Sequence, residues 1–195
     1  MNSKVVKPRL SHTLCFMFSG KAGTGKTYCA DIVMQLCKDA GLSVFKSPFA
    51  RGVKETAQFM GWDLNKSGSG RKLLQDIGAA GRAYDPNMWV KSAINHVMDQ
   101  DEYPFDAIVI DDLRYRNELV YIIDNEPLYK VIPIRMYAPS RELLVGTPEY
   151  YDISETDLDE FPFDKENIIN NEPGFGLYRS LVEGIVYAAF AKYAA

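Results

Sequence analysis

Cysteine, histidine, long apolar runs and excess positive charge are all scarce in this chain, and each scarcity removes a class of protein. The three cysteines, Cys15, Cys29 and Cys37, are odd in number and fit no metal-ligand spacing. A disulfide framework and a zinc module are therefore not expected, and a reducing compartment is. The two histidines, His12 and His96, have no neighbour that suggests catalysis. No stretch approaches the roughly 18 to 20 apolar residues of a membrane span, and Met1 to Ser11 lacks the apolar core of a secretory signal. The expected location is the cytoplasm, with no membrane partner. The formal net charge is −4, with acidic residues gathered between Glu149 and Glu166, so stable binding of nucleic acid is not expected. No internal repeat or long low-complexity tract is visible. A chain of 195 residues, 47% of them hydrophobic, is long enough for one packed α/β domain over 1–195 and short for two.

What is present is an octet, Gly20, Lys21, Ala22, Gly23, Thr24, Gly25, Lys26 and Thr27, that fills every fixed position of the phosphate-binding pattern G-x-x-x-x-G-K-[ST]. Such a loop must curl until consecutive amide N–H groups point inward at phosphate oxygens, and the glycines permit that curl. Lys26 then reaches the β- and γ-phosphates, the Thr27 hydroxyl coordinates Mg²⁺, and the helix that begins here adds its positive end. The pattern is credible only between a strand and a helix. Thr13 to Ser19 is a short apolar run suited to a strand buried on both faces. Downstream, Ala30, Val33, Met34 and Cys37 recur at helical spacing through Thr27 to Ala40, and Gly41 stands where a C-terminal cap belongs. ATP with Mg²⁺ is the expected ligand.

Farther along, Leu42 to Lys46 reads as a strand and Gly52 to Met60 as a helix. Asn65 to Gly70, rich in glycine and serine, reads as a mobile loop. Arg71 to Ala83 and Pro86 to Gln100 read as helices, the second with Asp85 as N-cap and Pro86 at its first position. Ala107 to Ile110 is an apolar run that ends in Asp111 and Asp112, as expected of a strand delivering carboxylates to the ligand-binding edge of a sheet. Asn117 to Ile123 is amphipathic, Tyr129 to Met136 and Asn167 to Asn170 read as strands, and Leu177 to Tyr193 as a closing helix with Leu181, Ile185, Ala188 and Ala189 on its apolar face. This alternation predicts the P-loop three-layer α/β/α fold, with a mostly parallel sheet of about five strands.

Phosphoryl transfer needs a carboxylate near the metal and cations for the transferred group. Of the adjacent acids only one faces the cleft if the strand persists, and Asp112 is the choice because Leu113-Arg114 follows it into the loop. Arginine reads phosphate through its planar fork. Arg51, Arg71, Arg82, Arg114, Arg116, Arg135 and Arg141 are the candidates, and Arg82 stands out for its setting in Gly78-Ala79-Ala80-Gly81-Arg82. Trp89 is a candidate for stacking on a base and Gln75 for reading a base edge.

Several segments together resemble the deoxynucleoside monophosphate kinases of tailed phages, the group that contains the enzyme of the T-even phages. They are the octet, Leu74-Gln75-Asp76-Ile77-Gly78 through Gly81-Arg82, Asp85-Pro86, Trp89-Val90, Asp112-Leu113-Arg114-Tyr115 with Asn117-Glu118, and Ile153-Ser154-Glu155 followed by Asn170-Asn171. Phe49-Ala50 with Lys54 is a weaker match. The resemblance implies transfer of the ATP γ-phosphoryl group to a deoxynucleoside 5′-monophosphate, with Mg²⁺ on Thr27 and Asp112. It places Lys54, Gln75, Arg82 and Trp89 in a helical acceptor-binding region over about 47–100. Lys26, Asp112, Arg114, Arg135 and Arg141 become the catalytic set, the last two on a lid over about 135–165. It also implies host-cell cytoplasm, if the chain is phage-encoded. Two other readings stay open: a P-loop ATPase acting on DNA, and a kinase for another small molecule. Tyr187 and Phe190 in the last helix leave a homodimer possible.

Overall fold

The computed structural model describes residues 8–65, 67–172 and 178–194. Five parallel strands, β1 (Thr13–Ser19), β2 (Val44–Lys46), β3 (Ala107–Leu113), β4 (Tyr129–Tyr137) and β5 (Ile168–Asn170), lie in the order β2-β3-β1-β4-β5. Among the described residues seven α-helices connect or flank them: α1 (Lys26–Asp39), α2 (Ala50–Phe59), α3 (Gly68–Tyr84), α4 (Met88–Met98), α5 (Arg116–Asn125), the single turn α6 (Ile153–Thr156) and α7 (Tyr178–Lys192). This is the P-loop three-layer α/β/α fold.

The middle of β1 (Leu14 to Phe18) and the first four residues of β3 (Ala107 to Ile110) are continuously apolar because both faces of the sheet are covered there. Leu14, Phe16 and Phe18 of β1 pack with Ala107 and Val109 of β3 against α1 and α7. Cys15 and Met17 point the other way, with Ile108 and Ile110, against α4 and α5. Helix α1 ends as its sequence requires. Gly41, at φ 74°, donates to Lys38 at 2.9 Å while Leu42 donates to Cys37 at 2.9 Å, which satisfies two carbonyls of the last turn.

Three expectations for the helices need correction. Asn65 to Gly70 is not a loop throughout, since α3 already starts at Gly68; Lys66 lies outside the described residues. The Asn65 side-chain carbonyl accepts from the Ser67 amide at 3.0 Å and its hydroxyl at 2.7 Å, and the Trp62 indole donates to the Asn65 carbonyl at 2.8 Å. A Cβ on Gly70 would lie 1.8 Å from that carbonyl oxygen, so this glycine serves close packing rather than looseness. Helix α4 begins at Met88, not Pro86. Asp85 accepts the Asn87 amide at 2.9 Å through its side chain and the Met88 amide at 2.9 Å through its carbonyl, which turns the chain before the helix starts. In α7 the buried residues are Val182, Ile185, Val186, Ala189 and Phe190. Leu181 and Ala188 face solvent, because the helix lies on the sheet by the stripe one position farther along. Leu177 and Met1 to Lys7 lie outside the described residues.

Candidate functional site

The octet leaves β1 at the C-terminal edge of the sheet and enters α1, the place where open α/β folds bind ligands. Two glycines show how tightly it is clasped. A Cβ on Gly23 (φ 93°) would lie 2.2 Å from the Arg141 carbonyl oxygen, and one on Gly25 (φ 92°) would lie 2.4 Å from the Asn171 amide nitrogen. The loop is therefore held by the segment after β4 and by the residue after β5. Asn171, itself buried, donates to the Thr24 carbonyl at 3.0 Å, and the Leu143 amide donates to Ala22 at 3.0 Å.

Lys26 is buried, with 9% of its surface exposed. Its ammonium donates to the carbonyls of Gly20 at 2.6 Å and Lys21 at 2.9 Å. Burial, and then the Arg114 guanidinium, lower its pKa to about 8, against the pull of Glu155 and Asp112. Thr27, next along, stands exposed in the first turn of α1. Arg135 donates to the Ser19 hydroxyl at 3.0 Å and pairs with Asp159. Its position is a correction: it belongs to β4, opposite Ser19 of β1 and Ile168 of β5, so it projects from the sheet rather than from a lid. Arg141 donates to the Asn171 carbonyl at 3.2 Å.

Strand β3 runs through both acids, and alternation separates them. Asp111 pairs with Lys46 at 3.0 Å, and Lys46 is shared with Asp31 at 2.9 Å. Asp112 accepts the amides of Phe49 at 2.8 Å and Ala50 at 2.9 Å, one on each oxygen, at the start of α2. Burial raises its pKa, and the two amide donors oppose the rise. Each oxygen keeps a second lone-pair direction. Asp112 and the exposed Thr27 hydroxyl are thus chemically suited to a hydrated Mg²⁺, whereas no cluster of three or more metal-ligating side chains exists among the described residues.

Arg114 donates to the Ser154 carbonyl at 3.1 Å and pairs with Glu155. Next to it, Tyr115 lies under the Arg82 guanidinium, 4.5 Å from it. Glu118 accepts the amides of Arg114 at 2.9 Å and Tyr115 at 3.0 Å, capping α5 and fixing the backbone that carries both side chains. Burial pushes the Glu118 carboxyl up to about 8 despite those bonds. Arg82 is thereby brought to the Arg114 side of the cleft. Lys54 is half-buried on α2 and Gln75 exposed on α3. Trp89 is a different matter, because its ring is enclosed: a Cβ would meet it 3.2 Å from Gly52 and 2.4 Å from Gly81, and its N–H donates to Gly78 at 3.0 Å. The indole is packed between α2 and α3 rather than presented as a face for a base.

No family model matches the chain. It is 28% identical over 150 residues to ORF76 and 28% over 145 residues to ORF77, two uncharacterized proteins of Ictalurid herpesvirus 1 (strain Auburn). Each match covers 74% of this chain, which spans only 56% and 58% of those relatives. Among solved structures it is similar to a gluconokinase from Sinorhizobium meliloti 1021, with a TM-score of 0.46, 14% identity and 95% of each chain covered. Among the described residues no helix is long and apolar enough to cross a membrane.

Sequence reasoning gave no role to Glu155, Asp159, Asn171, Tyr115 or Glu118. Their signals were the acidic run and the quoted segments Arg114-Tyr115 with Asn117-Glu118, Ile153-Ser154-Glu155 and Asn170-Asn171; for Glu155 and Asn171, contacts 133 and 147 residues away in the chain leave no local pattern.

Proposed function

We propose that this protein is an ATP-dependent phosphotransferase whose acceptor is a nucleoside monophosphate, with a deoxynucleoside 5′-monophosphate the favoured substrate. The observation that carries the reading is convergence. Arg135 of β4 is bonded to Ser19, the residue before the octet, and Arg114, which follows β3, is paired with the Glu155 carboxylate that accepts the Ala22 amide, so both arginines flank the loop that carries Lys26. Binding alone needs the loop amides and one lysine; neutralising a phosphoryl group in transit needs further cations fixed in advance.

The octet grips the triphosphate, and Lys26 turns from the Gly20 and Lys21 carbonyls to the β- and γ-phosphates. Arg82, held over Tyr115, fixes the acceptor phosphate, while Lys54 and Gln75 serve the acceptor side of the helical layer. Arg114, Arg135 and Arg141 offset the charge of the transferring group and bring donor and acceptor into line. Thr27 and Asp112 would hold Mg²⁺, which would supply further neutralisation of the transferring group's charge.

A coupled ADP-release assay with Mg·ATP against each deoxynucleoside and ribonucleoside monophosphate tests this. ADP release that requires one or a few monophosphates, with the matching diphosphate formed, is the expected result. Release that needs only single-stranded DNA, or no acceptor at all, would replace the reading with an ATPase.

A further inference from the structure

The acid-rich segment between β4 and β5 runs back across the octet, and two of its carboxylates sit on the groups that a polyphosphate would claim. Glu155, with a side chain only 5% exposed, accepts the Ala22 amide at 2.8 Å and pairs with Arg114. Asp159 accepts from the Lys21 ammonium at 3.2 Å and pairs with Arg135. The Lys21 ammonium also donates to the Glu155 carbonyl at 3.3 Å. A loop amide and three cations around Lys26 are therefore engaged by two carboxylates of one segment. A carboxylate meets such donors as a phosphate does, with negative oxygens that accept paired, charge-assisted hydrogen bonds.

We propose that the strap from Asp152 to Asp159 imitates polyphosphate: Glu155 and Asp159 neutralise the donor site while it is empty and must leave Ala22, Lys21, Arg114 and Arg135 before a triphosphate can seat. This rests on the reading of the octet as a nucleotide donor site. The strap is a self-competitor, and apparent affinity is reduced by the fraction of molecules in which it is down. Leu158, 2% exposed, anchors it in the core beside Phe161 and Phe163, so the carboxylates stay close at hand when displaced.

The test is calorimetric binding of inorganic tripolyphosphate, without metal, to the parent protein and to Glu155→Gln, Asp159→Asn and Lys26→Ala. Each carboxamide variant is expected to bind about three- to tenfold tighter, because charge-assisted bonds that close the site are weakened. Unchanged or weaker binding in both variants would overturn the proposal while leaving the donor-site reading intact. Absence of binding to the parent, or equal binding by Lys26→Ala, would overturn that reading and the proposal with it. Should Glu155→Gln fail to fold, Asp159→Asn, at the more exposed end of the strap, decides alone. A second readout is hydrogen exchange of the Glu155 to Asp157 amides in the parent, which rises when tripolyphosphate binds; no change would count against displacement.

Discussion

Lys26 places a charge where charge is costly, and its lowered pKa states the cost. In the unfolded chain the same lysine holds its proton to its ordinary value of 10.5, whereas the folded site gives it up near 8. Between those values the unfolded state binds more protons, so this group's contribution to stability increases as pH rises through the window. Ligand reverses the balance, because phosphate beside the ammonium favours the charged form. We expect ATP binding at a pH near 8.5, where the ATP phosphates are already fully ionised, to take up a proton at Lys26. Calorimetry in buffers of different ionisation enthalpy measures this directly, and Lys26→Ala should abolish the uptake. The residue and its role were legible in the sequence, because the octet is a local pattern with one purpose. Its pKa was not, since that depends first on burial and then on Arg114 and Glu155 brought near it by the fold.

At the scale of elements, the helical layer depends on one side chain between two glycines. Trp89 of α4 fills space that Gly52 of α2 and Gly81 of α3 leave vacant, and its indole ties back to α3 at Gly78. The sequence marked both the small residues and the tryptophan, yet gave the ring to a ligand; spacing along a helix does not reveal which neighbouring helix a ring will meet. Gly81→Ala would push a methyl group into the ring at 2.4 Å and is expected to cost about 1–3 kcal/mol. Gly184→Ala in α7 provides the contrast, since an added Cβ there meets nothing within 4 Å. There the better helix propensity of alanine should stabilise by about 0.5–1 kcal/mol. Urea unfolding midpoints of the two variants should move in opposite directions.

Across the whole molecule, burial decreases from the sheet outward. β1 is paired along its length by β3 and β4 and packed on both faces, whereas α3 buries only Gly70, Gly78 and Gly81. In native-state hydrogen exchange we expect the β1 amides to be the slowest and those of α3 the fastest among helices of ten residues or more. Comparable protection in the two would mean that the helical layer and the sheet unfold as one unit. The same gradient explains what could be read in advance. The five strands and their parallel arrangement were legible because continuous apolar runs between helical patterns admit few alternatives; β1 lies over Thr13–Ser19, the predicted span. The start of α3, the start of α4 and the buried stripe of α7 were not, because each is settled by a tertiary contact: a carbonyl against Gly70, an aspartate turn, a sheet surface.

The three cysteines, remarkable in the sequence only for their scarcity, acquire a meaning from where the fold puts them. Cys15, Cys29 and Cys37 are all fully buried, and desolvation pushes their thiols up to about 12, 11 and 12. Almost no thiolate exists in the native state at neutral pH, and thiolate is the form that reacts. Thiol-directed oxidants and alkylating agents therefore find no reactive cysteine for as long as the molecule stays folded. Each covalent mark left on these sulfurs becomes a record of time spent open, a clock wound by unfolding alone.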